Sequence, residues 1–530
     1  MKTNHFFSFL LAVGVAATAF LHPEIGMAAA GFPYSTHIGG GNDDWASSLA
    51  VGPQGDIFIT GYTLSSNFPG AGATSPKGSD VLVTRLDPSG KQIRYSVLIG
   101  GIGDERGLGI AVNGSNEVVV AVQSGSADFP IKNAAIGTRP VNADNALLKL
   151  SPTGELLWST WLALDLEDAL ENGHVLALDG QGNAYVTGRA AVDVPDPDFP
   201  EFEFRDGRIG VDKFNSAGVP VYAASYGGPT RNVERGVAIA VDGSGRAYVA
   251  AVSEDGSDDF PVSANPAQTL CGARLTDPIA RCDRDALMVV FAPDGQSVDY
   301  ASYLGGSDTD LPTDIAADAQ HNIVIVGETH SRDFPVKSAF QAVFPGDTSN
   351  ARFANAFVAR VSAAGDIAFS TYLGSLDELA TDAATSVVID AAGNAHVSGV
   401  TGGAQFPVLN AAQPVLGDGF CGLGGTVRRC YDGFVASFSP AGALQMSTYV
   451  GGGLDDVAHE LAFGVNGLIV TGYTESANFP STGDALQPAK ALKTDFFLTR
   501  LGSGAGLPPT PSPAPNPALT KKVFVPLTSR

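Results

Sequence analysis

Phe-Pro recurs seven times, at Phe68-Pro69, Phe129-Pro130, Phe199-Pro200, Phe260-Pro261, Phe334-Pro335, Phe406-Pro407 and Phe479-Pro480, in steps of about 60 to 75 residues. A second anchor keeps the same period: Ile38-Gly39-Gly40, Ile99-Gly100-Gly101, Tyr226-Gly227-Gly228, Leu304-Gly305-Gly306, Leu373-Gly374-Ser375 and Val450-Gly451-Gly452, with Leu162-Ala163-Leu164 a degenerate copy. At about 150 residues per domain, a chain of 530 would otherwise divide into three or four. Two anchors that agree in count point instead to one architecture built from seven copies of a unit.

Each unit holds four short apolar or alternating runs, typified by Leu108–Val112 (a), Ala184–Gly188 (b), Asp80–Leu86 (c) and Tyr300–Leu304 (d). Their β-branched and aromatic content, at about five residues each, argues strands. Between a and b stands a tight turn signal such as Asp179-Gly180-Gln181-Gly182-Asn183 or Asp390-Ala391-Ala392-Gly393-Asn394. Between c and d comes Pro followed by Gly, as in Asp87-Pro88-Ser89-Gly90 and Ser439-Pro440-Ala441-Gly442, where Pro sets one turn position and Gly supplies a positive φ. The expected fold is all-β: a seven-bladed β-propeller of four-stranded antiparallel blades. The chain ends test closure. Phe32–Ile38 is a d-type strand with no c before it, and Asp495–Leu501 is a c-type strand with no d after it. Pairing them closes the ring and removes two edges that an open solenoid would have to protect.

These repeats resemble the SBBP family, the seven-bladed beta-propeller repeat of exported bacterial proteins. The resemblance rests on strings such as Ser370-Thr371-Tyr372-Leu373-Gly374, Gly182-Asn183-Ala184-Tyr185-Val186-Thr187-Gly188 and Gly472-Tyr473-Thr474 ahead of Phe479-Pro480, and covers nearly all of residues 31–502. It implies a secreted or surface propeller and brings no catalytic signature. The copy around Trp161 to Asn172, which has lost its Gly-Gly, departs most.

Residues 1–30 read as a signal peptide: one Lys, an apolar run from Phe6 to Leu21, and Ala28 and Ala30 placed for cleavage before Gly31. The propeller then occupies 31–502, a Pro-rich linker 503–520 and a basic tail 521–530. The mature chain has no further run long enough to span a membrane. Export makes local disulfides the expected state of Cys271 with Cys282 and Cys421 with Cys430, whose spacings fit no zinc pattern. Apolar residues at 44%, charged residues at 16%, 64 Gly and 33 Pro suit a turn-rich β protein and exclude collagen, coiled coil and wholesale disorder. A net charge of −24 with no basic stripe excludes nucleic acid as a partner.

If a–b and c–d are tight turns, the b–c and d–a connections share the other face. Both cysteine pairs lie in the longest b–c segments, which outlines a binding surface on a rigid scaffold. The d–a connections carry Asp43 and Asp44, Asp104 and Glu105, Asp165, Glu167 and Asp168, Asp308 and Asp310, Asp377 and Glu378, and Asp455 and Asp456. They are expected to ring the channel mouth. Asp43, Asp44, Asp104, Asp308, Asp310, Asp377, Asp455 and Asp456 are the candidate metal ligands, and Ca²⁺ the one cofactor they could hold. Hydrogen bonding to their own loop amides is the competing reading. His37, His174, His321, His330, His396 and His459 form no ligand spacing, and Trp45, Trp158 and Trp161 suit interblade packing better than sugar stacking. No catalytic residue is nominated. The expected function is an exported, monomeric, non-catalytic scaffold that binds a protein, glycan or cell-wall partner through its loop-rich face. The alternative is an extracellular hydrolase or lyase that acts on a polysaccharide with acids at the channel mouth.

Overall fold

A computed structural model of the chain describes residues 31–72, 78–140, 144–166, 174–195, 203–228, 233–254, 259–272, 282–346, 353–377, 380–422 and 428–502. The expected leader, linker and tail lie outside the described residues, as do Phe199-Pro200, Glu167, Asp168 and Glu378.

Among the described residues, thirty strands form seven four-stranded antiparallel sheets and one small hairpin. Blade 1 is β2 (Asp44–Val51), β3 (Ile57–Thr63), β4 (Asp80–Leu86) and β5 (Ile93–Ile99), and blade 2 is β6 (Glu105–Val112), β7 (Val118–Ser124), β8 (Asn145–Leu150) and β9 (Leu156–Trp161). Blade 3 is β10 (Leu176–Leu178), β11 (Ala184–Pro195), β12 (Glu203–Phe214) and β13 (Pro220–Tyr226), and blade 4 is β14 (Glu234–Val241), β15 (Ala247–Ser253), β16 (Ala286–Phe291) and β17 (Val298–Leu304). Blade 5 is β18 (Asp310–Ala317), β19 (Ile323–Thr329), β20 (Asn355–Val361) and β21 (Ile367–Leu373). Blade 6 is β22 (Asp382–Ile389), β23 (Ala395–Thr401), β26 (Asp432–Phe438) and β27 (Leu444–Val450), with the hairpin β24 (Phe420–Cys421) and β25 (Arg428–Arg429) between its second and third strands. Blade 7 joins both ends of the chain: β28 (Asp456–Gly464), β29 (Gly467–Thr474), β30 (Asp495–Leu501) and then β1 (Tyr34–Ile38). The closing pair runs antiparallel from Tyr34 opposite Arg500 to Ile38 opposite Phe496. First strands touch in the order β2, β6, β10, β14, β18, β22, β28 and back to β2, so they line the axis of a closed ring.

Burial follows this radial order. The third strand of each blade is sandwiched between neighbours, and β16, β20, β26 and β30 are buried at every position. That is why these strands read as nearly continuous apolar runs. The outer strand β13 instead alternates between exposed and half-buried. The cores lie between blades: Ala250 and Met288 of blade 4 pack with Ile325 and Phe357 of blade 5. In the described copies the repeated Phe packs against the interface. Phe334 lies 4.8 Å from the Phe357 ring and 6.1 Å from Tyr372, and Phe406 lies 4.6 Å from Phe434 and 6.0 Å from Tyr449.

Six of the first strands carry a bulge, between Ala46/Ser48, Gly107/Gly109, Gly236/Ala238, Pro312/Asp314, Ala384/Ser386 and Ala458/Glu460. The bulge explains the Gly that recurs in the second strand. A Cβ on Gly472 would lie 1.8 Å from the Val457 carbonyl oxygen, and one on Gly327 would lie 2.0 Å from that of Leu311. The copy without Gly-Gly keeps its blade but shortens its first strand to Leu176–Leu178.

One expectation changes. The b–c segments do not simply stand above the face. They turn down the blade and bond the outer strand: Lys337 pairs with Ser370 and Gln341 with Tyr372, Leu409 pairs with Ser447, and the Ser263 N–H donates to the Ala301 carbonyl. Their length has a use, because they cover edges that would otherwise be open to pairing with another chain.

Candidate functional site

The d–a acids divide into two sets. One is a buried carboxylate at the first residue of six of the seven first strands, β10 beginning with Leu176. The Gly40 N–H donates to Asp44 at 2.6 Å, Gly101 to Glu105 at 2.8 Å, Gly306 to Asp310 at 2.7 Å, Ser375 to Asp382 at 2.8 Å and Gly452 to Asp456 at 2.6 Å. A hydroxyl from beyond the second strand adds to this: Ser65 to Asp44 at 2.9 Å, Ser331 to Asp310 at 2.9 Å and Ser476 to Asp456 at 2.7 Å. Burial outweighs these donors and pushes Asp44 up to about 6, and Asp310, Asp382 and Asp456 up to about 7. Asp382 is a member the sequence reading missed, because it sits seven residues past Ser375 rather than four.

The other set is held by neighbouring loops. Asp43 accepts from the Thr494 N–H at 3.3 Å and Lys493 at 3.4 Å, Asp104 from the Ser79 N–H at 2.9 Å, and Asp377 from Gln405 at 2.6 and 3.1 Å. Asp455 receives both Arg428 guanidinium nitrogens, at 2.8 and 2.9 Å. Asp308 is half-buried, and its backbone carbonyl accepts from Ser331 at 3.0 Å. Among the described residues, the one group of three potential ligands within reach of a common ion is Cys421, Cys430 and Asp455. Its two sulfurs are joined as a disulfide, as are Cys271 and Cys282.

A different cluster lies deeper. A cavity of about 370 Å³ occupies the axis, lined by first-strand residues. Its polar groups stand midway along the strands: Ser48, Asp314, Ser386 and Glu460 each follow a bulge, and His174 precedes β10. His174 Nδ1 is 3.5 Å from Asp314 Oδ1 and 3.7 Å from Glu460 Oε1, and all three side chains are largely buried. Its Nε2 donates to the Thr385 carbonyl at 3.0 Å. The same register laces blade to blade. Glu460 Oε2 accepts the Leu49 N–H at 2.7 Å, Asp314 Oδ2 that of Val387 at 2.7 Å, and Ser48 Oγ that of Ile110 at 3.2 Å. Burial pushes Glu460 up to about 7 and raises Asp314, while His174 holds both down. Beyond these groups, toward the a–b turns, the wall is aliphatic, and Ala316, Ala317, Val388 and Ile389 are half-buried.

On the opposite, loop-rich face the hairpin β24–β25, clamped by Cys421–Cys430, sits over blades 6 and 7. Arg428 stacks 3.8 Å above Tyr431 while it binds Asp455. Phe420 (65% exposed), Val415 (63%) and Leu454 (44%) stand out around it, with Leu376 (61%) and Ile102 (62%) in other d–a loops of the face.

The family model of the SBBP beta-propeller repeat matches residues 34–69, the stretch that runs from β1 through β2 and β3 to the first Phe-Pro. The chain carries the SBBP beta-propeller repeat. No curated protein matches it in sequence. Among solved structures, a protein of unknown function from Dyadobacter fermentans is 10% identical, with 89% of this chain and 98% of that one covered at a TM-score of 0.36. The Pan2 WD40 domain of Neurospora crassa is 10% identical (90% and 98% covered, TM-score 0.35), and a gluconolactonase from Xanthomonas campestris is 11% identical (70% and 88%, 0.28).

One of the histidines of this SBBP propeller, His174, lines the axial cavity. His174, Asp314 and Glu460 fall in blades 3, 5 and 7, so no local spacing joins them. Strand pairing shows that Asp314 and Glu460 share one position with Ser48 and Ser386, each opposite the residue just before the second-strand Gly. The spacing to that Gly is one residue shorter for Glu460, so sequence alignment on it would have put His459 there. Glu460 lies in the middle of β28, and the neighbouring His459 packs on Tyr473 at 5.6 Å. The tryptophans pack as expected: Trp158 and Trp161 are buried, and Trp45 lies 4.1 Å from the Tyr473 ring.

Proposed function

We propose that this protein is an exported, non-catalytic scaffold that holds a protein partner on its loop-rich face. The observation that carries the reading is the apolar ground there, with Val415, Phe420, Leu376 and Ile102 each more than 60% exposed. Of these, Val415 and Phe420 stand with Leu454 around one hairpin, and soluble monomers seldom leave such groups clustered without a use for them. The patch is pre-ordered, since Phe420 rides on a hairpin fixed by a disulfide and by the Arg428–Asp455 pair, so little entropy is lost on docking. A protein is favoured over a glycan because sugar rings stack on open flat aromatics, and all three tryptophans are engaged in packing. Two disulfides and the leader-like first 30 residues support export, and residues 503–530 would serve as spacer and surface attachment.

The test is cross-linking of the mature protein in its own envelope fraction, comparing wild type, Leu376→Ser/Phe420→Ser/Leu454→Ser, and Val219→Ser/Val221→Ser on the tight-turn side. One partner lost in the first variant and kept in the second is expected. Equal capture by all three would sink the reading. A second reading, hydrolysis or elimination on a polysaccharide, is favoured by one observation: two buried carboxyls beside an imidazole in the axial cavity. Turnover that disappears in Glu460→Gln would establish it and displace the first.

A further inference from the structure

We propose that the axial cavity is a binding site for a small organic cation, an alkylammonium whose charged head sits among Asp314, Glu460 and His174 and whose apolar body lies along the aliphatic wall toward the tight-turn face. The argument begins with the imidazole. Nε2 faces a carbonyl, which can only accept, so Nε2 carries a hydrogen. Nδ1 then turns toward two carboxylate oxygens at 3.5 and 3.7 Å, too far for a good N–H···O bond to either. With both carboxyls ionised, a neutral ring would aim a lone pair at two acceptors, and a protonated ring would still leave one negative charge over. Among the described residues, the cavity lining holds no Lys or Arg to balance that charge. With no cation bound it is relieved by a proton held on Glu460, which burial pushes up to about 7, and a bound cation would take the proton's place.

Interblade lacing does not require that charge. In blades 1 and 6 the same register is filled by Ser48 and Ser386, which accept the N–H groups of Ile110 and Leu461 with one neutral oxygen. Two carboxylates in place of serines add a desolvation cost that a bound cation would offset. The form of the cation follows from the space. About 370 Å³ is room for about a dozen waters at roughly 30 Å³ each, far more than a bare metal ion needs. His174, Asp314 and Glu460 also do not lie close enough together, all three at once, to share one metal ion. An N–H-bearing head reaches separated acceptors through several hydrogen bonds, and the aliphatic wall rewards an alkyl body.

The experiment is calorimetric titration of the full chain with n-butylammonium and n-hexylammonium, with hexanoate, hexanol, Ca²⁺ and Zn²⁺ as controls. Saturable 1:1 binding of the amines is expected, tightening about fourfold per added methylene, which corresponds to about 0.8 kcal/mol each. Glu460→Gln and Asp314→Asn should each weaken it tenfold or more, while both retain an oxygen for the Leu49 and Val387 N–H groups. Should either variant fail to fold, Ala316→Leu narrows the wall without touching a carboxylate and should abolish binding of the hexyl compound. Absence of saturable amine binding, equal binding of hexanol, or amine binding unchanged in the amide variants would overturn the proposal. So would tight Zn²⁺ or Ca²⁺ binding that Glu460→Gln removes while the amines do not compete.

Discussion

Asp432, the first residue of β26, faces Asp456, the first residue of β28, across the joint between blades 6 and 7, and both are fully buried. Gly451 passes between the strands so closely that a Cβ there would lie 2.5 Å from Asp432 Oδ1, an oxygen with no hydrogen-bond partner. This is the reason for the first Gly of each Gly-Gly: at Gly100 a Cβ would lie 2.1 Å from Asp80 and 2.7 Å from Glu105. Asp285 with Asp310 and Asp495 with Asp44 repeat the arrangement. Burial, reinforced by the facing charge, raises Asp432 well above the carboxylate range and pushes Asp285 up to about 8.

Stability should therefore fall as pH rises from 5 to 8. Carboxyls whose folded values lie above the ordinary value of about 4 make folding take up protons. Their contribution is complete below that value and is lost as pH passes through the folded values near 7 and 8. Other carboxylates act in the opposite sense: at Asp390 burial is outweighed by donors from Asn394 and His396, its value is lowered, and its contribution is lost in stronger acid. Thermal midpoints of the mature chain should thus peak on the acid side of neutrality. A midpoint that is flat or rising between pH 5 and 8 would count against shared protons at the blade joints.

Asp432→Asn should raise the midpoint at pH 8 and flatten that slope. Blades 2 and 5 already carry Asn145 and Asn355 at this position, so the site accepts an amide. The amide oxygen can still take the Gly417 N–H that Asp432 accepts at 2.9 Å, and the repulsion with Asp456 is gone. A higher midpoint at pH 8, with little change at pH 5, is expected, because the facing charge that helps raise Asp432 is removed. Asp456→Ala should act in the opposite direction. It strands the Gly452 N–H and the Ser476 hydroxyl, at a cost of about 1 to 3 kcal/mol.

The blade count, strand order and tight turns were legible because each rests on a local signal repeated along the chain, such as Phe334-Pro335 or Asp179 to Asn183, and closure because the two chain ends carry complementary strands, Phe32–Ile38 and Asp495–Leu501. The acids at the d–a loops were legible as residues but not as two sets, since only register tells Asp456, buried under Gly452, from Asp455, turned to Arg428. The Gln of the b–c segment was missed altogether. Gln268, Gln341, Gln413 and Gln487 accept the N–H of Gly305, Gly374, Gly451 and Gly39 at 2.9 to 3.2 Å, a link visible only once the segment is seen to run along the outer strand. The axial cluster was hidden for a related reason: its members come from three blades, and it is the ring that brings them together.

Tyr372→Phe tests what the d-strand Tyr contributes. Its hydroxyl accepts the Phe334 N–H at 3.1 Å and donates to the Ser331 carbonyl at 2.8 Å, which pins the turn that delivers the repeated Phe. Loss of the hydroxyl should cost about 1 to 2 kcal/mol, against about 3 to 5 kcal/mol for Phe334→Ala, which also leaves a cavity. Denaturant midpoints of the two variants should fall in that order. In blade 7 the equivalent residue is His37, which is fully buried, with neither ring nitrogen hydrogen-bonded. Burial pushes it down to about 4, so it should stay neutral above that pH, and His37→Tyr should be tolerated where Tyr372→His should not.

Deletion of residues 31–38 should distinguish a closed ring from an open array. β1 supplies the fourth strand of blade 7, and it also ties blade 7 to blade 1 through the Tyr34 hydroxyl, which donates to the Gly90 carbonyl at 2.8 Å. Without it β30 becomes a bare edge, and the buried Tyr34 and Ile38 leave the core, each worth about 1.5 to 3 kcal/mol. In an open stack this loss would fray one end and leave the other units unchanged. In a ring every blade depends on closure, so the whole transition should move to lower temperature. A peptide of residues 31–40 added in trans should restore it in proportion to its concentration, because it binds the folded state alone. A truncated chain that keeps the full-length midpoint, or one that the peptide does not raise, would show that the ring does not need its closing strand.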